Sequence, residues 1–290
     1  MGKHISALSK NGEVVAYVAD TTDIVYRAEQ IHKTSATVTA ALGRLLTAAS
    51  LMSSQLKGEK NSITLRLKGN GPCGTLLAVS DSGGNVRGCV DNPIVEIPLN
   101  ERGKLDVAGA VGKEGYLFVM KDLGLKEPYI GQTPIVSGEV AEDITYYYAT
   151  SEQIPTVCAL GVLVNTDLTV LNAGGFLVQL MPGADEQSIE ILEKNIRDMP
   201  SITQILSGGK TAQEIAMVLL EGLEPGILQT KEVEYRCDCT QGRVEKALLT
   251  LGSAELLAMA DEDPATEVKC HFCPKVFHFC PDYLRLLVKD

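Results

Sequence analysis

The sequence predicts an α+β fold: a large mixed α/β amino-terminal domain over residues 1–182, a helical linker domain over 183–231 and a small carboxy-terminal domain over 232–290. Three observations predict it. Strand-like alternation and helix-like spacing of apolar residues mix as far as Pro182, which is the mark of an α+β domain. Beyond Pro182 the pattern turns helical. Near the end, four cysteines are bunched as Cys237-Asp238-Cys239 and Cys270-His271-Phe272-Cys273.

Taken in order, the β-branched and aromatic run from Glu13 to Ala19 predicts a strand, and Thr21 or Thr22 offers an N-cap to a helix reaching Ile31. A second helix is predicted from Ser35 to Lys57, rich in small residues and leucines, with Gly58 where a left-handed C-cap would sit. Ile63, Leu65 and Leu67 alternate with Thr64, Arg66 and Lys68, the period of a half-buried strand. Thr75 to Ser80 and Val86 to Val90, joined through DSGGN, read as a hairpin. Further strands are predicted at Gly115 to Met120, Thr156 to Val164 and Phe176 to Leu180, with a helix from Glu139 to Tyr148. In the linker, helices are predicted at Asp185 to Met199, Ile202 to Leu206 and Thr211 to Leu220, the last opened by a Thr211/Glu214 capping box. Pro200, Gly208 and Gly209 keep them short, so each needs a neighbour to pack on. The terminal segment carries two more short helices, Arg243 to Leu249 and Ser253 to Ala260.

A length of 290 residues with 45% hydrophobic residues is ample for a packed core. The formal charge of -11 repels polyphosphate and anionic lipid, which argues against nucleic acid as a partner. The amino terminus has no apolar h-region, and Arg44 with several Ser and Thr interrupts the apolar stretch Leu42 to Leu56, so neither a signal peptide nor a membrane span is expected. Eight cysteines without a secretory signal fit a reducing compartment, and the cytoplasm is the expected location.

Four thiols from two short segments can close a tetrahedral shell around one Zn²⁺. Cys270 and Cys273 lie between Val268 and Val276 in a strand-like context that suits a hairpin knuckle. In the C-x-C half, alternate residues of a strand would put both sulfurs on one face. That closeness also invites a short, strained and labile disulfide between Cys237 and Cys239. Zinc keeps the sulfurs as thiolates, the form that attacks peroxide, so one centre can serve as both staple and sensor. His278 and Cys280 are alternative ligands. The four-cysteine set is preferred because without Cys237 and Cys239 the metal would not tie the two ends of the segment together.

Other motifs lead elsewhere. Ser207-Gly208-Gly209-Lys210-Thr211 resembles the end of a P-loop, but Gln204 stands at the first glycine position and helix precedes it, so a helix-to-helix turn is expected and no nucleotide. The segment 232–290 holds seven Lys and Arg against eleven Asp and Glu, the wrong sign for a nucleic-acid-binding zinc module. His4 and His32 are isolated, no G-x-S-x-G elbow is present, and no enzymatic activity is expected. Cys73, Cys89 and Cys158 fall in or beside strands, where a thiol behaves as a small hydrophobe, and no function is assigned to them.

With LGRLLTAA at Leu42 to Ala49, GNVRGCVDNP at Gly84 to Pro93, SEQIPT at Ser151 to Thr156, GGFLVQLMPGA at Gly174 to Ala184 and the two cysteine motifs, the whole chain resembles the redox-regulated heat-shock chaperones of the thirty-three-kilodalton class. The resemblance implies an ATP-independent holdase that protects against oxidative and heat stress. It implies that Cys237, Cys239, Cys270 and Cys273 bind one zinc per chain when reduced. It further implies that oxidation pairs Cys237 with Cys239 and Cys270 with Cys273, expels zinc, loosens the linker and exposes surfaces for unfolding clients, with dimerisation on activation. Three residues depart from the usual pattern: His271 inside the C-x-x-C, the extra thiol Cys280, and Cys89 in place of an aromatic.

Overall fold

The alternating runs build two antiparallel sheets, and the continuous apolar run builds the helix buried between them. A computed structural model describes residues 1–262 and 264–288. Two compact units divide between Arg236 and Cys237. In chain order the first unit opens with β1 (Gly2–Leu8), β2 (Val14–Asp20), α1 (Thr22–His32), α2 (Ala36–Ser53), β3 (Ser62–Lys68), β4 (Thr75–Asp81), β5 (Val86–Val90), α3 (Val107–Val111), β6 (Tyr116–Asp122) and β7 (Tyr129–Pro134). It continues with α4 (Ala141–Tyr147), one π-helical turn, β8 (Thr156–Val164), β9 (Val170–Leu180), α5 (Glu186–Asp198), α6 (Ile202–Ser207), α7 (Ala212–Leu219) and β10 (Gly226–Val233).

One five-stranded sheet has the order β10-β1-β2-β9-β8 and the other β5-β4-β3-β6-β7. Helix α2 lies between them with 16 of its 18 residues buried, in one core with Ile63, Leu65 and Leu76 of the second sheet and Ala173 and Leu177 of the first. Its small residues permit close approach: a Cβ on Gly43 would stand 2.7 Å from Val25 of α1 and 2.9 Å from Val162 of β8. Its buried hydroxyls are satisfied, Thr47 donating to the Gly43 carbonyl at 2.8 Å and Ser50 to the Gly84 carbonyl at 2.8 Å. By length and composition α2 could cross a membrane, but 89% of its apolar window is buried in this core.

The outer face of the first sheet is covered by the helices after Pro182. Ile5, Ala7, Val14, Ala16, Val18, Phe176 and Val178 form a second core with Leu192, Ile202, Ile205, Ile215, Ala216 and Leu219 of α5, α6 and α7. Helices of 13, 6 and 8 residues do not stand alone in water, and this shared face is what holds them. The chain after them is not wholly helical: residues 226–233 pair antiparallel with β1 and extend the sheet.

His4 of β1 is buried, with Nε2 2.9 Å from the Ser54 hydroxyl. Burial first, and then the Lys231 charge, hold its pKa down at about 4. The unfolded chain therefore takes up a proton that the folded one refuses. The stability linked to this group is complete above the ordinary value of 6.5 and is lost as pH falls toward 4. We expect His4 to account for about 2–3 kcal/mol of stability lost between pH 7 and pH 4.5. Urea midpoints at the two pH values should show that loss, and His4→Gln should reduce the difference; an equal difference in the variant would assign the acid sensitivity to other groups.

Candidate metal centre

The second unit contains α8 (Gln241–Leu249), α9 (Ser253–Glu262), β11 (Thr266–Lys269), β12 (Val276–Phe279) and α10 (Pro281–Leu287). Its core is small: Leu248, Leu256, Ala260, Phe279 and Leu284 are the buried hydrophobic residues among those described. Phe279 stacks on Tyr283 at 6.1 Å between ring centroids, and the Tyr283 hydroxyl donates to Glu245 at 2.6 Å, tying α10 to α8. A unit this size with this little core needs a further staple.

Four cysteines are grouped within it, close enough together to hold a metal ion. Strands β11 and β12 pair from Thr266 with Phe279 to Lys269 with Val276, and the turn between them carries Cys270 and Cys273. The Cys270 N–H donates to the Lys275 carbonyl at 3.0 Å, and the Phe272 N–H points at the Cys270 sulfur at 3.4 Å. This is the knuckle expected from the C-x-x-C. The C-x-C half differs from expectation: Cys237 and Cys239 lie in an irregular segment, not a strand. The start of α8 sets its shape. Thr240 caps that helix, its hydroxyl accepting from the Arg243 N–H at 3.3 Å, and Arg243 pairs with Asp238.

The sulfurs of Cys237 and Cys270 are 3.7 Å apart, those of Cys239 and Cys273 are 3.4 Å apart, and all four lie within 4.8 Å of one another. Ligand sulfurs placed about 2.3 Å from a central ion at tetrahedral corners would be about 3.8 Å apart. A disulfide would need about 2.05 Å, and all eight cysteines are free thiols. The donor set therefore fits a tetrahedral, thiophilic divalent ion.

Electrostatics point the same way. Burial raises the Cys270 thiol, but the Phe272 N–H and hydrogen bonds from Cys273, Cys237 and Cys239 outweigh it and bring the group below its ordinary value. Cys237 and Cys239 are raised, first by burial. Without a cation one thiolate is favoured at the expense of its neighbours, and a bound dication is what allows all four to ionise.

The alternative ligands stand apart from this cluster. His278 faces Glu267 across the hairpin, Nδ1 to carboxylate 3.5 Å, while His271 and Cys280 are exposed. Cys73 and Cys158 are buried, and burial pushes their thiols up to about 11 and about 12, so neither is a ready nucleophile; Cys89 is half-buried on β5. At the P-loop-like turn the Glu214 carboxylate accepts the Thr211 N–H and hydroxyl, each at 2.8 Å, so a capping box fills the place a phosphate would need. Sequence reasoning did not single out Phe272, whose backbone N–H acts on Cys270, or the Asp238/Arg243 pair; the C-x-x-C turn was the available signal for the first.

Comparison with known proteins identifies the family. The family model described as Hsp33 protein matches residues 3–280. A 33 kDa chaperonin of Ruminiclostridium cellulolyticum is 47% identical over 291 residues, covering 100% of this chain and 99% of the relative. One from Clostridioides difficile is 49% identical over 286 residues, covering 99% and 98%. The crystal structure of the 33 kDa chaperonin (heat shock protein 33 homolog) of Thermotoga maritima superposes with a TM-score of 0.89 at 40% identity, over 99% of this chain and 97% of that one. A match of this extent, over both the two-sheet unit and the cysteine module, shows that the chain belongs to the Hsp33 family.

Proposed function

We propose that this protein is a redox-regulated, ATP-independent chaperone that holds unfolding proteins. The observation that carries the proposal is the set of four unbridged sulfurs within 4.8 Å of one another in a unit with a very small core. In the reduced protein Cys237, Cys239, Cys270 and Cys273 hold one Zn²⁺ per chain. Zinc, when bound, supplies no redox chemistry of its own and stabilises the thiolates as ligands.

Oxidation acts on the sulfurs. One thiolate of a pair attacks hydrogen peroxide, becoming a sulfenic acid as the O–O bond breaks and hydroxide leaves to be protonated to water. Its neighbour displaces hydroxide from that sulfur, forming the disulfide and a second water, so two electrons pass from the pair to one peroxide. Following the family resemblance, the pairs are Cys237 with Cys239 and Cys270 with Cys273. Each sulfur in a disulfide has lost the charge that held the metal, and the unit loses its staple.

The stretch 183–231, proposed as the linker domain and made of α5, α6, α7 and most of β10, is the part whose loosening matters. Beneath α5, α6 and α7 lies an apolar sheet face built from Ile5, Val14, Val18, Phe176 and their neighbours. A contiguous apolar face of this kind, once uncovered, suits apolar segments of unfolding proteins. We further place the protein in the cytoplasm and propose that the active form is a homodimer.

The test treats reduced, zinc-loaded protein with peroxide at elevated temperature. Release of one zinc per chain, intramotif bridges on peptide mapping and suppressed client aggregation without ATP are expected. Zinc release with aggregation unaffected would overturn the chaperone reading, and a dominant Cys273 to Cys280 bridge would overturn the pairing.

A further inference from the structure

Arg236 ends the first unit and Cys237, a member of the sulfur cluster, begins the second. The four residues before that boundary are fastened to the first unit in an unusual way. After pairing with β1 at the edge of the first sheet, the chain runs on to β5 at the edge of the second. There Tyr235 forms a parallel bridge with Val86. The Val86 N–H donates to the Glu234 carbonyl and the Arg236 N–H to the Val86 carbonyl, each at 3.0 Å.

Side chains reinforce this short bridge. The Tyr235 hydroxyl donates to the Gly88 carbonyl at 2.9 Å and accepts the Gly88 N–H at 3.3 Å, with His32 Nε2 also 3.3 Å away. Arg236 pairs with Asp81, which accepts the N–H groups of Gly83 and Asn85 in the β4–β5 turn. Val233 is fully buried, over Gly84 at φ 91°, where a Cβ would come within 2.7 Å of the valine. Along the preceding strand, in contrast, Gly226 to Thr230 are exposed.

We propose that residues 233–236 are a latch, with Tyr235 as its main positioning residue, whose strength decides whether melting of the cysteine unit stops at Arg236 or runs back into β10. The physical reason is end-fraying. With the unit beyond Cys237 folded, the residues that follow Arg236 are ordered; with it unfolded, the latch becomes the last ordered piece of the chain and its outermost bonds open first. Arg236 is released, then Tyr235, and only then does buried Val233 leave its socket. Once Val233 is out, β10 has little side-chain burial to keep it on β1. The inference rests on the metal-dependent folding of the cysteine unit and does not require that clients be bound.

Hydrogen exchange tests it on the full chain, reduced throughout, with zinc bound or removed by a chelator. The reporters are the Val86 and Arg236 amides and the β10 amides. With zinc, all should be protected in the wild type and in Tyr235→Phe. Without zinc, Arg236 and Val86 should exchange at least about tenfold faster in the wild type, and Tyr235→Phe should add a further fivefold or so, the scale of one lost hydrogen bond, and carry the exposure into β10. Arg236→Ala should act in the same direction. By reciprocity, Tyr235→Phe should weaken zinc binding by the factor by which zinc strengthens the Tyr235 contact, read in a competition titration with a chromogenic chelator. Equal protection with and without zinc would overturn the latch. So would a Tyr235→Phe effect of the same size in both forms, which would make the phenol an ordinary structural tie. These readouts contain no chaperone assay, so failure of the proposed function leaves them interpretable.

Discussion

Removing zinc under reducing conditions, or replacing Cys270 by Ser, is expected to unfold the chain from Cys237 onward while residues 1–236 keep both sheets. The two units differ sharply in what holds them. The first has a core running through α2 and both sheets and a second core under α5 to α7, whereas the other has five buried hydrophobic residues among those described. Structural zinc contributes on the order of 10–16 kcal/mol in small zinc-finger peptides, far more than such a core supplies, so metal loss and unfolding are one event there. Cys270→Ser takes away one of the four clustered sulfurs, the one that receives the Phe272 N–H. The expected result is loss of the helical signal of α8 to α10 and rapid proteolysis beyond Arg236, with slow exchange retained in α2. A chelated protein that keeps α8 to α10 folded would show that the sulfur cluster is not the staple.

How much of this was legible beforehand depended on how local the determinant was. The cysteine motifs could be read because each places its sulfurs through one or two intervening residues, and the knuckle between β11 and β12 followed from that spacing. Strands β2, β3, β4, β8 and β9 were legible because their apolar residues face a core. Strands β1, β7 and β10 were not recognised. β1 carries a buried histidine and serine, β7 exposes Tyr129 and Ile130 and contains Gly131, and β10 buries only Val233. The last two are sheet edges, held by backbone pairing from one side and little by side-chain pattern.

Helix ends were misjudged for related reasons. The second helix stops at Ser53, not Lys57, because the Ser54 N–H turns back to the Leu51 carbonyl, and Gly58 sits in a later turn. Thr21 does not cap α1; its hydroxyl bonds Thr47 of α2 at 2.7 Å instead. Helix α4 begins at Ala141, two residues later than expected. Val140 is held at φ 71° while the Asp143 carboxylate gathers the N–H groups of Val136, Ser137, Gly138 and Val140. The Tyr235 phenol and Gly88 are 147 residues apart in sequence, so no window in the sequence contains that bond.

Detaching the helical layer without oxidising anything should switch the protein on. Ile215 and Leu219 of α7 are 1% and 0% exposed and meet the β1–β2 face of the first sheet. An aspartate at Ile215 would have to bury a carboxylate or lift α7 away, and lifting is the cheaper course because each covering helix is too short to resist alone. The cost to the layer is several kcal/mol, comparable with the whole margin of an ordinary domain. Ile215→Asp is therefore expected to suppress client aggregation in the reduced, zinc-loaded state, with fast exchange across residues 202–219 and slow exchange retained in α2. Glu214→Gln, an exposed neighbour in the capping box, is the control and should leave the protein dormant. A layer that melts with zinc still bound and no aggregation suppressed would move the client surface elsewhere. Suppression only after zinc loss would instead make the cysteine unit, and not the uncovered sheet, the part that clients meet.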